Sequence, residues 1–148
     1  MTAAYQTGKY RNVFLECGYS KEEIQERVEK TFETIFYGTE EERFYHEVGE
    51  DMAYVEDTGN HDVRTEGMSY AMMVCVQMNR KEEFDRLWKW VRTYMYIPKG
   101  PGKNYFAWSC GTDGTWKKNF LRCLYSLRGE DGVTEKEFLS IVKRQGQS

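Results

Sequence analysis

A chain of 148 residues with 40% apolar and 16% aromatic side chains is long enough for one small domain with a buried core and too apolar for a disordered tail. Its 21 basic and 24 acidic residues are mixed along the sequence and leave a net charge of −3. Neither a basic face for nucleic acid nor a polybasic membrane patch is expected from that balance.

Met1 to Thr7 lacks an apolar core long enough for a signal peptide, and no segment approaches membrane-spanning length, so a cytoplasmic location is expected. Ser20-Lys21-Glu22-Glu23 reads as a capping box. Ile24, Val28, Phe32, Ile35 and Phe36 follow at helical spacing as far as Gly38, which predicts an amphipathic helix. From Thr39 to Asp62 the apolar residues Tyr45, Val48, Met52, Tyr54 and Val55 lie irregularly among acids and glycines, predicting loop with two short strands. Thr65 to Met78 is apolar on nearly every side, the pattern of a helix buried among other helices. Asn79 is the expected cap of a further helix from Arg80 to about Tyr96, striped by Phe84, Leu87, Trp88, Val91 and Met95. Pro98-Lys99-Gly100-Pro101-Gly102 breaks the chain, and Tyr105 to Trp108 reads as short and extended. Sparse β-branched alternation argues against an all-β protein. Helices joined by loops predict an all-α domain built from helical hairpins.

Cys17, Cys75, Cys110 and Cys123 have neither the close pairing of a zinc site nor the density of a disulfide scaffold, so reduced thiols are expected. With His46 and His61 as the two histidines, no metal site and no other cofactor is expected.

The stretch most suited to chemistry is Asp62-Val63-Arg64-Thr65-Glu66-Gly67-Met68-Ser69-Tyr70. A carboxyl at a helix mouth backed by apolar side chains can hold a proton near neutral pH. The plainer alternative for Glu66 is an N-terminal helix acid paired with Arg64 or with the helix dipole. Arg64 either orients a carboxylate or a ligand hydroxyl, or forms a surface salt bridge. Gly67 permits close approach of a substrate or of another helix. Asp51, Asp57 and Asp62 read as solvated loop acids without a catalytic role.

Three more segments accompany this run in order: Asp51-Met52-Ala53-Tyr54 before it, and Glu82-Glu83-Phe84-Asp85-Arg86-Leu87-Trp88-Lys89-Trp90 and Tyr105-Phe106-Ala107-Trp108 after it. On these four motifs, residues roughly 9 to 114 resemble the glycoside hydrolases of family 8. The likeness is strongest to the branch that takes xylose from the reducing end of xylo-oligosaccharides. The resemblance implies an inverting glycosidase and an (α/α)6 barrel of six helical hairpins. This chain is then expected to be an all-α, N-terminal fragment of that barrel. Glu66 takes the place of the general acid, and a base across the sugar ring, about 6.5–9.5 Å away, activates water. Because the dipole at a first helical turn favours the anion, burial has to outweigh it if Glu66 is to stay protonated. Trp108 falls near the sugar cleft, where stacking is its natural role, although a core tryptophan is the competing reading. Arg64 and Tyr70 join it as candidate substrate-binding residues. A neutral oligosaccharide partner, a xylo-oligosaccharide first, suits the small net charge and the four Trp, eleven Tyr and eight Phe.

The resemblance stops after Asp113-Gly114-Thr115, which divides the chain into residues 9–115 of glycosidase type and a non-homologous tail, 116–148. The family's base has no counterpart. Reading 117–123 and 133–145 from the third base of plausible codons yields strings like the family's own continuation, so the tail is expected to be an out-of-frame translation. A gene sequence with no such register would contradict that. The tail still carries Thr134-Glu135-Lys136-Glu137 as a capping box before Phe138, Ile141 and Val142. A truncated, inactive enzyme with uncovered apolar surface and non-native self-association is the expected consequence. The alternative is a helical carbohydrate-binding or interaction protein without catalysis.

Overall fold

The structure, a computed structural model, describes residues 4–8, 11–99 and 102–116. Two four-residue helices open it, α1 (Ala4–Thr7) and α2 (Val13–Glu16), the second capped by the Asn12 side chain accepting from Phe14 N and Leu15 N. Helix α3 (Lys21–Tyr37) begins at the expected capping box. Ser20 Oγ accepts from Glu23 N at 3.1 Å, and the Glu23 carboxylate accepts from Ser20 N at 2.8 Å. Its apolar stripe buries Phe32 and Phe36, whose rings stack 4.1 Å apart.

Between α3 and the next long helix the chain forms three strands, β1 (Tyr45–Val48), β2 (Met52–Asp57) and β3 (Asp62–Arg64). A fourth, β4 (Ser109–Cys110), completes an antiparallel sheet in the order β1-β2-β3-β4. Gly49, at φ +61°, closes the first hairpin in a backbone region that suits glycine. Asp57 closes the second by accepting from Gly59 N and Asn60 N.

The sheet overturns the expected all-α fragment of an (α/α)6 barrel. Its strands are two to six residues long, too short for the sustained alternation that announces a sheet in a sequence. Tyr45, Ala53, Val63 and Cys110 are buried in the core and Val48, Met52, Tyr54 and Val55 pack against it, without a clean apolar–polar alternation. The described residues therefore combine helices with an antiparallel sheet.

Helix α4 (Thr65–Met78) leaves β3 directly. It was expected to be buried all round, yet Met68, Ala71 and Cys75 are its buried residues, while Tyr70, Met73, Val74 and Val76 are exposed. Asn79 ends α4 in the left-handed conformation, φ 58°, and so caps this helix rather than the next. Helix α5 (Lys81–Trp90) follows and runs into a π-helical turn, Val91–Met95. Helix α5 packs on β2 and on α4, and α3 packs on β1. Trp90, Leu87, Met95, Met68, Val63 and Tyr45 are the largest side chains fully enclosed by this arrangement.

Trp116 is the last described residue, bridged to Cys110 and donating its indole N–H to Tyr94 O at 2.6 Å. The shifted register and the Thr134 capping box of the tail, 117 onward, lie outside the described residues. Among the described residues, no helix is long and apolar enough to cross a membrane.

Candidate active site

The turn from β3 into α4 places Arg64 at the helix N-cap and Glu66 in the first helical turn. Alternation along β3 puts Asp62 and Arg64 on the same side of the strand. Their side chains meet there, Arg64 Nε donating to Asp62 Oδ1 at 3.0 Å. Asp57, at the end of β2 and paired with Asp62 across the sheet, brings its Oδ2 to 3.0 Å from the same nitrogen. Asp62 is 3% exposed, and its second oxygen accepts from Ser109 Oγ at 2.8 Å. A carboxylate that far from water needs such partners, and a guanidinium with a hydroxyl supplies them.

The segment before β4 then crosses the mouth of α4. Trp108 O accepts from Thr65 N at 3.0 Å, which satisfies one of the amide groups that a helix start leaves without a partner. This contact sets the indole beside Glu66, with Trp108 Nε1 donating to Glu66 Oε2 at 3.4 Å, a long hydrogen bond. The Arg64 guanidinium lies over the same ring, 4.8 Å from its centroid.

Three of the four residues singled out from the sequence, Arg64, Glu66 and Trp108, thus form one contiguous group. Tyr70 stands one turn further along α4, two-thirds exposed, and borders a different feature. That feature is a groove of about 970 Å³ between α3 and α4, lined by Ile24, Val28, Gly67, Tyr70, Val74 and Met78 among others. A Cβ at Gly67 would sit 3.7 Å from Val55, an ordinary contact, so packing against the sheet does not demand glycine there. Glu66 is itself exposed rather than enclosed by apolar side chains.

Asp57, Asp62 and Ser109 are the residues that sequence reasoning passed over. Asp62 is buried rather than a solvated loop acid, and the sign of it was the Asp-x-Arg spacing, which on a strand brings acid and base together. Asp51, by contrast, pairs at the surface with Lys89.

The family model of the glycosyl hydrolases of family 8 matches residues 41–120, which take in the whole of this constellation. Over 112 residues the chain is 56% identical to the reducing end xylose-releasing exo-oligoxylanase of Halalkalibacterium halodurans, covering 76% of this chain and 29% of that protein. It is 54% identical, over 76% of its length and 30% of the relative's, to the reducing-end xylose-releasing exo-oligoxylanase Rex8A of Paenibacillus barcinonensis. The crystal structure of a reducing end xylose-releasing exo-oligoxylanase superposes with a TM-score of 0.71 at 56% identity, over 77% of this chain and 30% of that one. Rex8A complexed with xylose gives 0.73 at 43% identity, over 95% and 40%. The chain spans about 30% of the length of these curated relatives. The strands and helices around Glu66 are therefore those of a stretch that such enzymes share, and the chain belongs to the glycosyl hydrolases of family 8.

Proposed function

We propose that residues 9–115 are the acid-bearing part of an inverting glycosidase that acts on β-1,4-linked xylo-oligosaccharides. Glu66 is the general acid, protonating the departing glycosidic oxygen. Trp108 is the platform on which a xylose ring lies, and a pyranose without a hydroxymethyl arm suits a flat apolar face. Tyr70, at the rim of the α3–α4 groove, is a further substrate contact, and Arg64 serves the site by backing the Trp108 ring. The observation that carries this reading is the placement of the Glu66 carboxylate at the first turn of α4, hydrogen-bonded to the indole of Trp108.

The second carboxylate that inversion requires is not offered by Asp57 or Asp62, since both are engaged with Arg64. In this reading the base comes from family sequence beyond the stretch matched here, and the 148-residue polypeptide taken alone binds xylo-oligosaccharide without turning it over. The test is a chimera joining residues 9–115 to the remainder of the Paenibacillus relative. Release of xylose from xylotriose is expected, falling by at least about 100-fold on Glu66→Gln, the usual scale for loss of a proton donor. A folded chimera whose activity survives that change would remove Glu66 from the mechanism. The same commitment of Asp57 and Asp62 to Arg64 favours the second reading, carbohydrate binding without catalysis, and a folded chimera that binds xylotriose but never cleaves it would select it.

A further inference from the structure

Trp108 is held at both its backbone and its ring. The carbonyl is tied to Thr65 N at 3.0 Å, and one face of the indole is covered by the Arg64 guanidinium at 4.8 Å. Arg64 in turn is gripped from two strands. Its Nε donates to Asp62 Oδ1 at 3.0 Å and lies 3.0 Å from Asp57 Oδ2. Asp62 takes a further hydrogen bond from Ser109, the residue next to Trp108, so the constraint runs from β2 and β3 back to the tryptophan itself.

The charges matter as much as the geometry. Among the described residues, Arg64 lies over the indole and Glu66 accepts from its N–H, while Asp57 and Asp62 hold Arg64 from β2 and β3. Asp57 and Asp62 are the ion-pair partners of Arg64, and its guanidinium reaches Glu66's partner, the indole, by lying over the ring. A planar cation on one face draws electron density from the indole, which strengthens its N–H as a donor, and the planar fork fixes the plane in which that N–H points.

We propose that Arg64 is a positioning residue: clamped by Asp57 and Asp62, it covers one face of Trp108, aims the indole N–H at Glu66, and leaves the opposite face for the sugar. The inference rests on the reading of Glu66 as proton donor and Trp108 as sugar platform.

The experiment is an NMR titration of the 148-residue chain with 15N-labelled indoles, which report on Trp88, Trp90, Trp108 and Trp116 separately, the Trp108 signal being identified by its loss in Trp108→Phe. The Trp108 Nε1–H resonance is expected to move as Glu66 titrates and to stop moving in Glu66→Gln. In Arg64→Lys, which keeps the charge but not the planar stack, the movement is expected to fall to less than half. Asp57→Asn, which loosens the clamp but retains an oxygen for the turn at Gly59, gives a second variant should Arg64→Lys lose the dispersion of the other indoles. Full movement in either variant with the fold intact overturns the positioning role. So does a movement that Glu66→Gln leaves in place. Xylotriose added to the unmodified chain tests the underlying reading on its own: a shift at Trp108 supports it. The absence of any shift removes the sugar platform while the pH coupling still decides the Arg64–Trp108–Glu66 geometry.

Discussion

Asp62 shows how much a single buried acid can organise. With its side chain 4% exposed, it depends on Arg64 and Ser109 to replace the water it has lost. Arg64→Met is therefore expected to destabilise the chain by about 2–3 kcal/mol in urea unfolding, below the full cost for a buried pair because the Arg64 side chain is itself 22% exposed. A change under about 0.5 kcal/mol would show that the pair behaves as a surface one. Cys75 makes a second prediction. Burial pushes its thiol up from 9.0 to about 12, so it stays protonated and unreactive while exposed Cys17 is labelled. Thiol labelling at pH 8 should leave Cys75 unmodified until the chain unfolds. At this scale the sequence motif marks Glu66, Arg64 and Trp108, which the structure brings into contact. Asp62 is misread as a solvated loop acid, because its Asp-x-Arg spacing points to a buried pair only once the segment is known to be a strand.

At the scale of elements, the capping box at Ser20 and the apolar stripe of α3 were readable because both are local, and local patterns survive in one dimension. The sheet was not. Its four strands are joined across up to 47 residues, as Ser109 to Asp62, and each is too short to declare its period. Helix α4 was readable as a helix but not in its exposure, since a run apolar on every side says nothing about which face is covered. Ser20→Ala tests the legible part: losing the α3 cap should cost about 1 kcal/mol, measured by chemical denaturation. Gly114→Ala tests a contact that no pattern announced. Gly114 sits at φ +80°, and a Cβ there would meet the Tyr94 ring at 2.2 Å. The Gly111–Trp116 turn should therefore be displaced and the Trp116 indole released from Tyr94 O, seen as a shift in its NMR signal.

For the whole molecule, the α3–α4 groove and the exposed Met73, Val74 and Val76 of α4 leave broad apolar surface open to water. Self-association that rises with concentration is expected in sedimentation, and a strictly monomeric chain at all concentrations would contradict it. Alkali should weaken the fold. Below pH 9 the Cys75 thiol is protonated in folded and unfolded chains alike, so its contribution is fully present. Between about pH 9 and 12 the unfolded chain loses a proton that the folded chain keeps, so stability falls as pH rises. Tyr45 acts in the same direction from its ordinary value of 10.0, because burial opposes its phenolate. The central claim, however, is that Glu66 and Trp108 form a sugar site in this stretch of chain. The most direct test is calorimetric titration of the 148-residue protein with xylotriose. Saturable binding that Trp108→Ala abolishes, with no xylose appearing in the cell, is the predicted result. Binding that is absent, or that Trp108→Ala leaves intact, would contradict it.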